Sequence, residues 1–539
     1  MLQFNSQPLQ GTYCDILIVG GGTGGVAAAL AAARYGLKVI LTEEYEWVGG
    51  QLTSQGVPPD EHPWIERTGC TASYRDFRNR VRAFYREGFP MNDAVREMNF
   101  NPGGGFVSGL CHEPRIAHAV LLDMLRPPIA ENRLTVRTGL IPIGADVDGD
   151  KIKAIQFKDL LTGRLETITA SMLIDCTELG DLLPLAGVEY VSGAESKAQT
   201  GELHAGDVPD ENDVQGLTWC FAAGYDPHDS HIIDRPIHYD FWRKYVPNLI
   251  GSPWPGPLID WTAVSPITLE PRTFDLFVQP GAPYNSLWNY RKIVSSENLA
   301  IDTDDVTLVN WPQNDYFIRN IIDQPAEVKA KALSESRQLS LSLLYWMQTE
   351  APRPDGGAGY PGLYLNGAVM GTSDGFAMAP YIRESRRIKA LFTVTEAHVG
   401  TTMRHAAGKD RAEQFDDSVG IGCYRIDLHP TPSRRNYIDI SSLPFQIPLG
   451  ALIPQRVTNL IAGNKNIGVT HITNGCYRLH PVEWNIGESA GHLAGYCLTN
   501  KTAPAAVCEN YKQFRDFQAT LIAAGIELNW PEDILCTSR

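Results

Sequence analysis

Six residues near the start of the chain constrain it more than any others. Gly20-Gly-Gly22-Thr-Gly-Gly25 satisfies G-x-G-x-x-G, a spacing that gains meaning only from its context. Ahead of it, Asp15-Ile-Leu-Ile-Val is an apolar run too short for a helix, which predicts a strand buried on both faces of a parallel sheet. Behind it, residues 26–35 are dense in alanine and favour a helix, which Gly36 ends as a C-cap does. Residues 37–42 read as a second buried strand, completing a βαβ unit. In such a unit Gly20 makes the tight turn, Gly22 lets backbone approach a pyrophosphate, and Gly25 lets helix and strand pack. Thr23 and Gly24 open the helix, whose N-terminus favours negative charge. Glu43 falls at the end of the second strand, where an acidic side chain meets the ribose hydroxyls of a dinucleotide.

With 539 residues the chain is too long for one hydrophobic core, and two or three units are expected. A net charge of −16 argues against nucleic acid as a partner, because phosphate binding needs a Lys/Arg footprint. It also leaves no basic cluster for an anionic membrane. Ten scattered cysteines form no CxxC pair, so zinc ribbons and thioredoxin-like motifs are not expected, and the thiols read as reduced and mostly buried. The first residues lack a secretory pattern, and no window approaches about 18 uninterrupted apolar residues. The chain is therefore expected to be cytoplasmic, with no membrane span and an oligomeric state the sequence leaves open.

Beyond the βαβ unit, a polar helix is expected over residues 74–86 and a short one over 116–125, stopped by Pro127 and Pro128. Residues 134–137, 153–157 and 167–169 alternate as antiparallel strands do, and 173–176 resembles another short buried strand. From about 190 to 450 proline, tryptophan and aspartate cluster around long loops. One strong helix, from Pro325 to about Thr349, sets Val328, Leu333, Leu339, Leu343 and Met347 on an inward face. The pattern of the first domain resumes at Leu460-Ile-Ala-Gly463, and a small-residue helix is expected over 486–498.

The segments divide as 1–190 and 450–504 for a dinucleotide-binding domain, 191–449 for a substrate or cap domain, and 505–539 for a helical tail. The expected class is α/β, a doubly wound Rossmann-like domain with an inserted mixed α+β domain.

Several motifs resemble the flavoprotein superfamily related to glutathione reductase. Glu43 is followed by Glu44 and then by Trp47-Val-Gly49-Gly50-Gln51, similar to the Gly-Gly pair that in this superfamily lies near the FAD pyrophosphate and flavin. Leu173-Ile-Asp175-Cys176-Thr177-Glu-Leu-Gly-Asp181 looks like its Asp-Ala-Thr-Gly stretch, with cysteine for alanine and glutamate for glycine. Asn459-Leu-Ile-Ala-Gly463-Asn464 looks like its late FAD-binding strand, with asparagine where many members have aspartate.

A narrower resemblance is to an uncharacterised FAD-dependent oxidoreductase family, some of whose members carry xanthan-lyase-like labels. Asn310-Trp-Pro-Gln-Asn-Asp315-Tyr, Pro380-Tyr-Ile-Arg-Glu-Ser-Arg-Arg387 and Thr470-His471 followed by Arg478 are similar to its signatures. The resemblance implies FAD as cofactor, held by Gly20, Gly22, Thr23, Gly24, Gly25, Glu43, Glu44, Gly49, Gly50, Gln51, Cys176, Thr177, Gly463, Asn464 and Gly487. It also implies a helix whose N-terminus faces the flavin, with Gly487 and Gly491 permitting close approach.

The redox disulfide of glutathione-reductase-type enzymes has no counterpart: no cysteine pair follows Gly50, and Cys70 is alone. Nor does a second nucleotide fingerprint follow a strand, since Gly103-Gly-Gly105 has none before it. Direct hydride exchange between flavin and a small organic substrate remains, as dehydrogenase or oxidase. The opposite direction is the alternative, a fumarate-reductase-like reduction of an activated alkene that needs paired arginines such as Arg478 and Arg383.

His471, Arg478 and His480 form the densest polar cluster near the expected flavin. They suit proton transfer and oxyanion or carboxylate binding, and equally suit plain hydrogen bonding to loop backbone. Arg383, Arg386 and Arg387 read as ion pairs on a helix more than as an anion site. Cys111-His112-Glu113 is not expected to hold metal, because adjacent residues rarely ligate one ion. A non-catalytic flavin module of the tRNA-modification kind is disfavoured by the acidic balance, and a lyase reading has no residues behind it.

Overall fold

The computed structural model describes residues 11–92, 99–281 and 286–534, so Cys536 and the first ten residues lie outside it. The chain opens with β1 (Thr12–Val19), α1 (Thr23–Ala32) and β2 (Val39–Glu43), the βαβ unit expected from the glycine pattern. Helices α2 (Ala72–Gly88) and α3 (Pro114–Ala130) then lead to β3 (Leu134–Thr138), β4 (Leu140–Asp148), β5 (Lys151–Asp159) and β6 (Leu165–Asp175). These strands form one sheet in the order β3-β2-β1-β6-β5-β4. From β3 to β6 the neighbours run parallel, while β4 and β5 extend the edge antiparallel.

Three local expectations are corrected here. Residues 134–138 run parallel to β2, not antiparallel, because α3 serves as the crossover that brings the chain back to the same end of the sheet. Residues 167–169 and 173–175 belong to one long strand, β6, whose first half pairs with β5. Helix α3 runs past Pro127 and Pro128 to Ala130. Both prolines sit in its last turn, where only one further turn of helix has to tolerate the lost N–H donors, and Pro128 is buried.

A second, antiparallel sheet combines β7 (Phe221–Tyr225), β8 (Lys292–Val294), β9 (Val306–Val309) and β10 (Leu363–Leu365) in the order β8-β9-β7-β10. The long helix α4 (Ala326–Thr349) starts just after Pro325 as expected. Its Leu339, Leu343 and Met347 are buried in a core shared with Phe221, Val309 and Leu363, whereas Val328 and Leu333 are only half-buried. This second core gathers residues between Leu179 and Tyr437. The first gathers the parallel sheet together with Ile388, Val419, Phe445 and the C-terminal helices, so it draws on residues ahead of the division expected at 449/450. No helix among the described residues is long and apolar enough to cross a membrane.

The chain returns to the first sheet through β11 (Leu460–Ala462), which pairs parallel with the second half of β6. Helices α5 (His471–Tyr477), α6 (His480–Asn500) and α7 (Tyr511–Ala523) follow. The α6 helix was expected to begin at Ile486; it begins at His480, with Pro481 in its first turn. A proline there costs no hydrogen bond and presets the helical φ.

Helix α1 has nine of its ten residues buried and no polar face, because α6 covers the side that the sheet does not. The two axes approach through glycine. A Cβ on Gly487 would lie 2.0 Å from the carbonyl oxygen of Gly24, and one on Gly491 would lie 2.3 Å from that of Ala28. Gly487 and Gly491 therefore seat α6 on α1. Because backbone cannot yield as a side chain end does, Gly491→Ala should destabilise the fold by about 1–3 kcal/mol. Chemical denaturation compared with wild type checks this, and an unchanged midpoint would show that the helices separate freely.

Candidate active site

The carboxyl ends of β1, β2, β6 and β11 meet at one point, the crevice where open parallel sheets receive ligands. The backbone there is drawn together without intervening side chains. Cys176 N–H donates to Val19 O (2.7 Å), Gly20 N–H to Thr42 O (3.0 Å) and Gly463 N–H to Asp175 O (2.9 Å). Gly20 has φ +95°, and a Cβ on it would sit 2.2 Å from Cys176 O. A Cβ on Gly25 would meet Gly20 O at 2.0 Å, and one on Gly24 would meet Gly463 O at 2.2 Å.

The Gly49–Gly50 turn closes over this loop. Gly49 N–H donates to Gly21 O (2.7 Å), Thr23 Oγ1 donates to Gly49 O (3.0 Å), and a Cβ on Gly50 would lie 2.8 Å from the Cα of Gly22. The N-terminus of α1 carries no side-chain cap and no acidic residue in its first turn, as an anion-binding helix start requires. Asn464 Nδ2 donates to Cys176 O (3.1 Å). Thr177 donates to Asp175 Oδ1 from both its amide (3.0 Å) and its hydroxyl (2.7 Å).

A cavity of about 100 Å³ opens from this cradle, lined by Gly20, Glu43, Glu44, Cys176, Thr177 and Glu178 on one side and by Pro380 and Ile382 on the other. The Glu43 carboxylate accepts from Gly21 N–H (2.6 Å) and Tyr45 N–H (3.0 Å). Burial, only partly offset by those two bonds, pushes its pKa up to about 8. Burial likewise holds Asp175 at about 7. Glu483 is pushed up to about 7 by burial despite Lys465, whose ammonium lies 3.5 Å away. Lys465 also pairs with Glu178, and together these carboxylates raise its pKa against the effect of burial. Sequence reasoning noted Glu178 only as a departure from the superfamily's glycine and did not single out Lys465.

The extended segment from Ala379 to Arg383 is a wall between two chambers. Ala379, Pro380 and Ile382 face the cradle, while Tyr381 and Arg383 face a second cavity of about 180 Å³. That cavity is lined by Asp60, Arg291, Arg383, Asp427, His429 and Arg478, with tyrosines 290, 381, 424 and 437 around them. It joins the cradle through hydrogen bonds: Arg478 Nη1 donates to Tyr381 OH (3.2 Å), which donates to Gln51 Oε1 (3.2 Å). Gln51 Nε2 in turn donates to Glu483 (2.7 Å) and to Arg478 O (3.0 Å). His429 stands between two carboxylates, with Nδ1 2.6 Å from Asp315 and Nε2 3.5 Å from Asp427. Neither His429 nor Arg291 was singled out from sequence; each is isolated among loop residues and carries no motif.

The three residues expected to form one catalytic cluster are separated. Arg478, between α5 and α6, lines the second cavity and pairs with Asp427 at 3.1 Å. His480 is fully buried, accepting from Asp60 N–H at Nδ1 (3.1 Å) and facing Val57 O with Nε2 (3.2 Å). Burial and Arg291 keep its pKa well below the usual value, so it is a neutral peg between segments. His471 opens α5 with Nδ1 3.0 Å from Glu384. Glu384 also takes Arg387 and Gln215 N–H, and these cations hold it at about 2 although burial opposes them.

The arginines 383–387 do not lie on the expected helix, because other segments take their backbone: Arg386 N–H donates to Leu179 O (3.3 Å) and Arg387 pairs antiparallel with Val191. Ion pairing itself holds, Arg383 with Asp315 (2.9 Å), Arg386 with Asp323 (2.8 Å) and Arg387 with Glu195 (3.0 Å). Cys70 and Cys111 are buried thiols, pushed up to about 12 and about 11 mainly by desolvation. Glu113 pairs with Arg115 at 2.6 Å.

Comparison with known proteins bears on this site. A family model described as FAD dependent oxidoreductase matches residues 15–521. A glutathione reductase from Yarrowia lipolytica (strain CLIB 122 / E 150) is 36% identical over 92 residues, 17% of this chain and 18% of that enzyme. One from Debaryomyces hansenii is 45% identical over 51 residues, 9% of this chain and 10% of that enzyme. The chain therefore matches less than a fifth of these relatives' length. Among solved structures, a geranylgeranyl bacteriochlorophyll reductase-like protein from Thermoplasma acidophilum is 10% identical, covering 96% of this chain and 84% of that one at a TM-score of 0.30. The glycine cradle, which a Cβ would fill at Gly20, Gly24, Gly25 or Gly50, fits a dinucleotide pyrophosphate. The chain belongs to the FAD dependent oxidoreductase family, and its cofactor is FAD.

Proposed function

We propose that this chain exchanges hydride between FAD and a small organic metabolite seated in the arginine-lined cavity, as a dehydrogenase or oxidase. The observation that carries the reading is the shared wall of residues 379–383, which sets that cavity next to the cofactor cradle. Gly20, Gly22, Thr23, Gly24 and Gly25 would hold the pyrophosphate at the start of α1, with Glu43 and Glu44 toward the ribose. Gly49, Gly50, Gln51, Cys176, Thr177, Gly463 and Asn464 would shape the remainder. When bound, FAD supplies a two-electron partner for a carbon–hydrogen bond of the substrate. Residues 191–449, with the second sheet and core, would act as the substrate or cap domain.

The chain's own residues supply orientation and proton handling. If His429 donates Nδ1–H to Asp315, Nε2 is left to take or give the substrate's proton as the carbon is oxidised or reduced. Arg478, fixed by Asp427 and Tyr381, would grip an anionic or carbonyl oxygen. The ring of tyrosines excludes water and strengthens these interactions. The reverse direction, reduction of an activated alkene, is favoured by the presence of Arg383 and Arg478 in one cavity beside His429. Mixing photoreduced protein with an unsaturated acid distinguishes the two: fast reoxidation by the acid without oxygen favours the reductase.

The purified protein should be yellow and release FAD, not FMN, on denaturation. Gly22→Asp should abolish retention, because its Cβ would lie 2.9 Å from Glu178 Oε1 and its carboxylate would face the pyrophosphate; a variant that keeps full FAD by chromatography of the released flavin would refute the cradle.

Once a metabolite panel has found a compound that bleaches the flavin anaerobically, His429→Asn should slow that reduction by about 10²- to 10⁴-fold with FAD content unchanged. His480→Asn should lower thermal stability instead. A His429 variant that reduces at the wild-type rate would place proton transfer elsewhere.

A further inference from the structure

The second cavity holds more hydrogen-bond donors than the protein satisfies. Arg291, Arg383 and Arg478 are 7%, 2% and 2% exposed, and each has one carboxylate partner: Asp60 at 3.3 Å, Asp315 at 2.9 Å and Asp427 at 3.1 Å. Nevertheless Arg291 Nε, Arg383 Nε and Arg478 Nε are buried without a hydrogen-bond acceptor, as is the hydroxyl of Tyr437, and Arg291 Nη1 has its ion-pair contact with Asp60 but no hydrogen bond. A buried donor left unmade costs about 1–3 kcal/mol, more when charged, and folded proteins rarely tolerate several together. Elsewhere in the molecule Arg78 places all three of its nitrogens on Glu61 and Glu66, and Arg387 leaves a single Nε unmet; among the described residues, only around this cavity do three such arginines meet.

The three residues with unmet donors come from separate segments, one ahead of β8, one on the dividing wall and one between α5 and α6. They share a cavity of about 180 Å³, below the roughly 300–1,000 Å³ of sites for drug-sized ligands.

We infer that this cavity recognises a small organic acid, whose carboxylate takes the unmet guanidinium N–H groups of Arg291, Arg383 and Arg478. A carboxylate offers about four lone-pair sites on two oxygens, and planar guanidinium forks favour it geometrically. A phosphate suits the site less well, because its further oxygens, gathered on one tetrahedral centre, would meet Asp60, Asp427 and Asp439 on the same walls. Tyr437 OH would add a neutral donor for the second oxygen or for a hydroxyl on the acid. His429 lines the same cavity, with Nε2 3.5 Å from Asp427. This assignment rests on the proposed function for its meaning as a substrate site, but the binding claim is tested separately.

Titration calorimetry on FAD-loaded protein, with flavin content measured on the same sample, uses succinate, its neutral diamide and inorganic phosphate as probes. Succinate should bind and succinamide should not. Arg291→Gln, checked for folding by circular dichroism, should weaken succinate by roughly ten- to a hundredfold. Tyr437→Phe removes only an unpartnered hydroxyl; it should weaken binding by about fivefold and decides the matter should the arginine variant not fold. The inference is overturned if wild-type protein binds no succinate, if the diamide or phosphate binds as tightly, or if the folded variants keep wild-type affinity. A preparation that holds no FAD would instead count against the functional proposal, since the heat of succinate binding reads the cavity alone.

Discussion

Everything in the first half of this molecule depends on backbone approaching backbone with nothing between. The ends of β1 and β6 meet where Gly20 presses on Cys176, and α1 enters between Gly463 and α6 because Gly24 offers no side chain to either. Dispersion and the hydrophobic effect favour such closeness only when every carbonyl and amide brought inside finds a partner. Here the partners are the strand-end bonds from Cys176, Gly20 and Gly463. The outcome is a helix start with no side-chain cap whose surroundings are fixed from all sides, which is what a bound pyrophosphate needs.

Much of this was legible in the chain because it is local. A buried strand, a glycine turn and an alanine-rich helix are contiguous, and Glu43 follows at the end of the next strand. What was misread involved long-range pairing. Residues 165–175 looked like two strands because turn-like polarity interrupts the pattern, whereas β6 is continuous and changes partner from β5 to β11 midway. The start of α6 was placed six residues late because His480-Pro481 reads as a breaker, although proline at a first helical turn is itself a start signal. The second cavity was beyond local reading altogether. Asp60, Arg291, Arg383, His429 and Arg478 lie far apart in the chain, and only the fold brings them together.

The two chambers handle buried charge in opposite ways. Around the cradle burial outweighs the cations at hand, Lys465 beside Glu483 among them, and pushes Glu43, Asp175 and Glu483 upward. Around the second cavity arginines and His429 outweigh burial, and Asp315 and Asp427 are held low. Asp439 is the exception, raised to about 6 by burial and by Asp427 beside it. A negatively charged ligand thus meets resistance on one side of the wall from carboxylates that protons can neutralise, and on the other side meets guanidiniums already balanced by fixed acids. The N-terminus of α1 is the counterweight in the first chamber; the unmet N–H groups are in the second.

The alternation of the dividing segment has an evolutionary consequence. Because successive side chains of an extended strand point to opposite faces, Pro380 and Ile382 belong to one chamber and Tyr381 and Arg383 to the other. Lineages that descend from this fold can exchange a residue on one face and leave the opposite chamber's lining untouched. They cannot add or delete a single residue there, since a shift of one position would send an arginine toward the first chamber and a proline toward the second. Diversification at this boundary is thereby restricted to substitution, while the loops of the second domain remain open to changes in length.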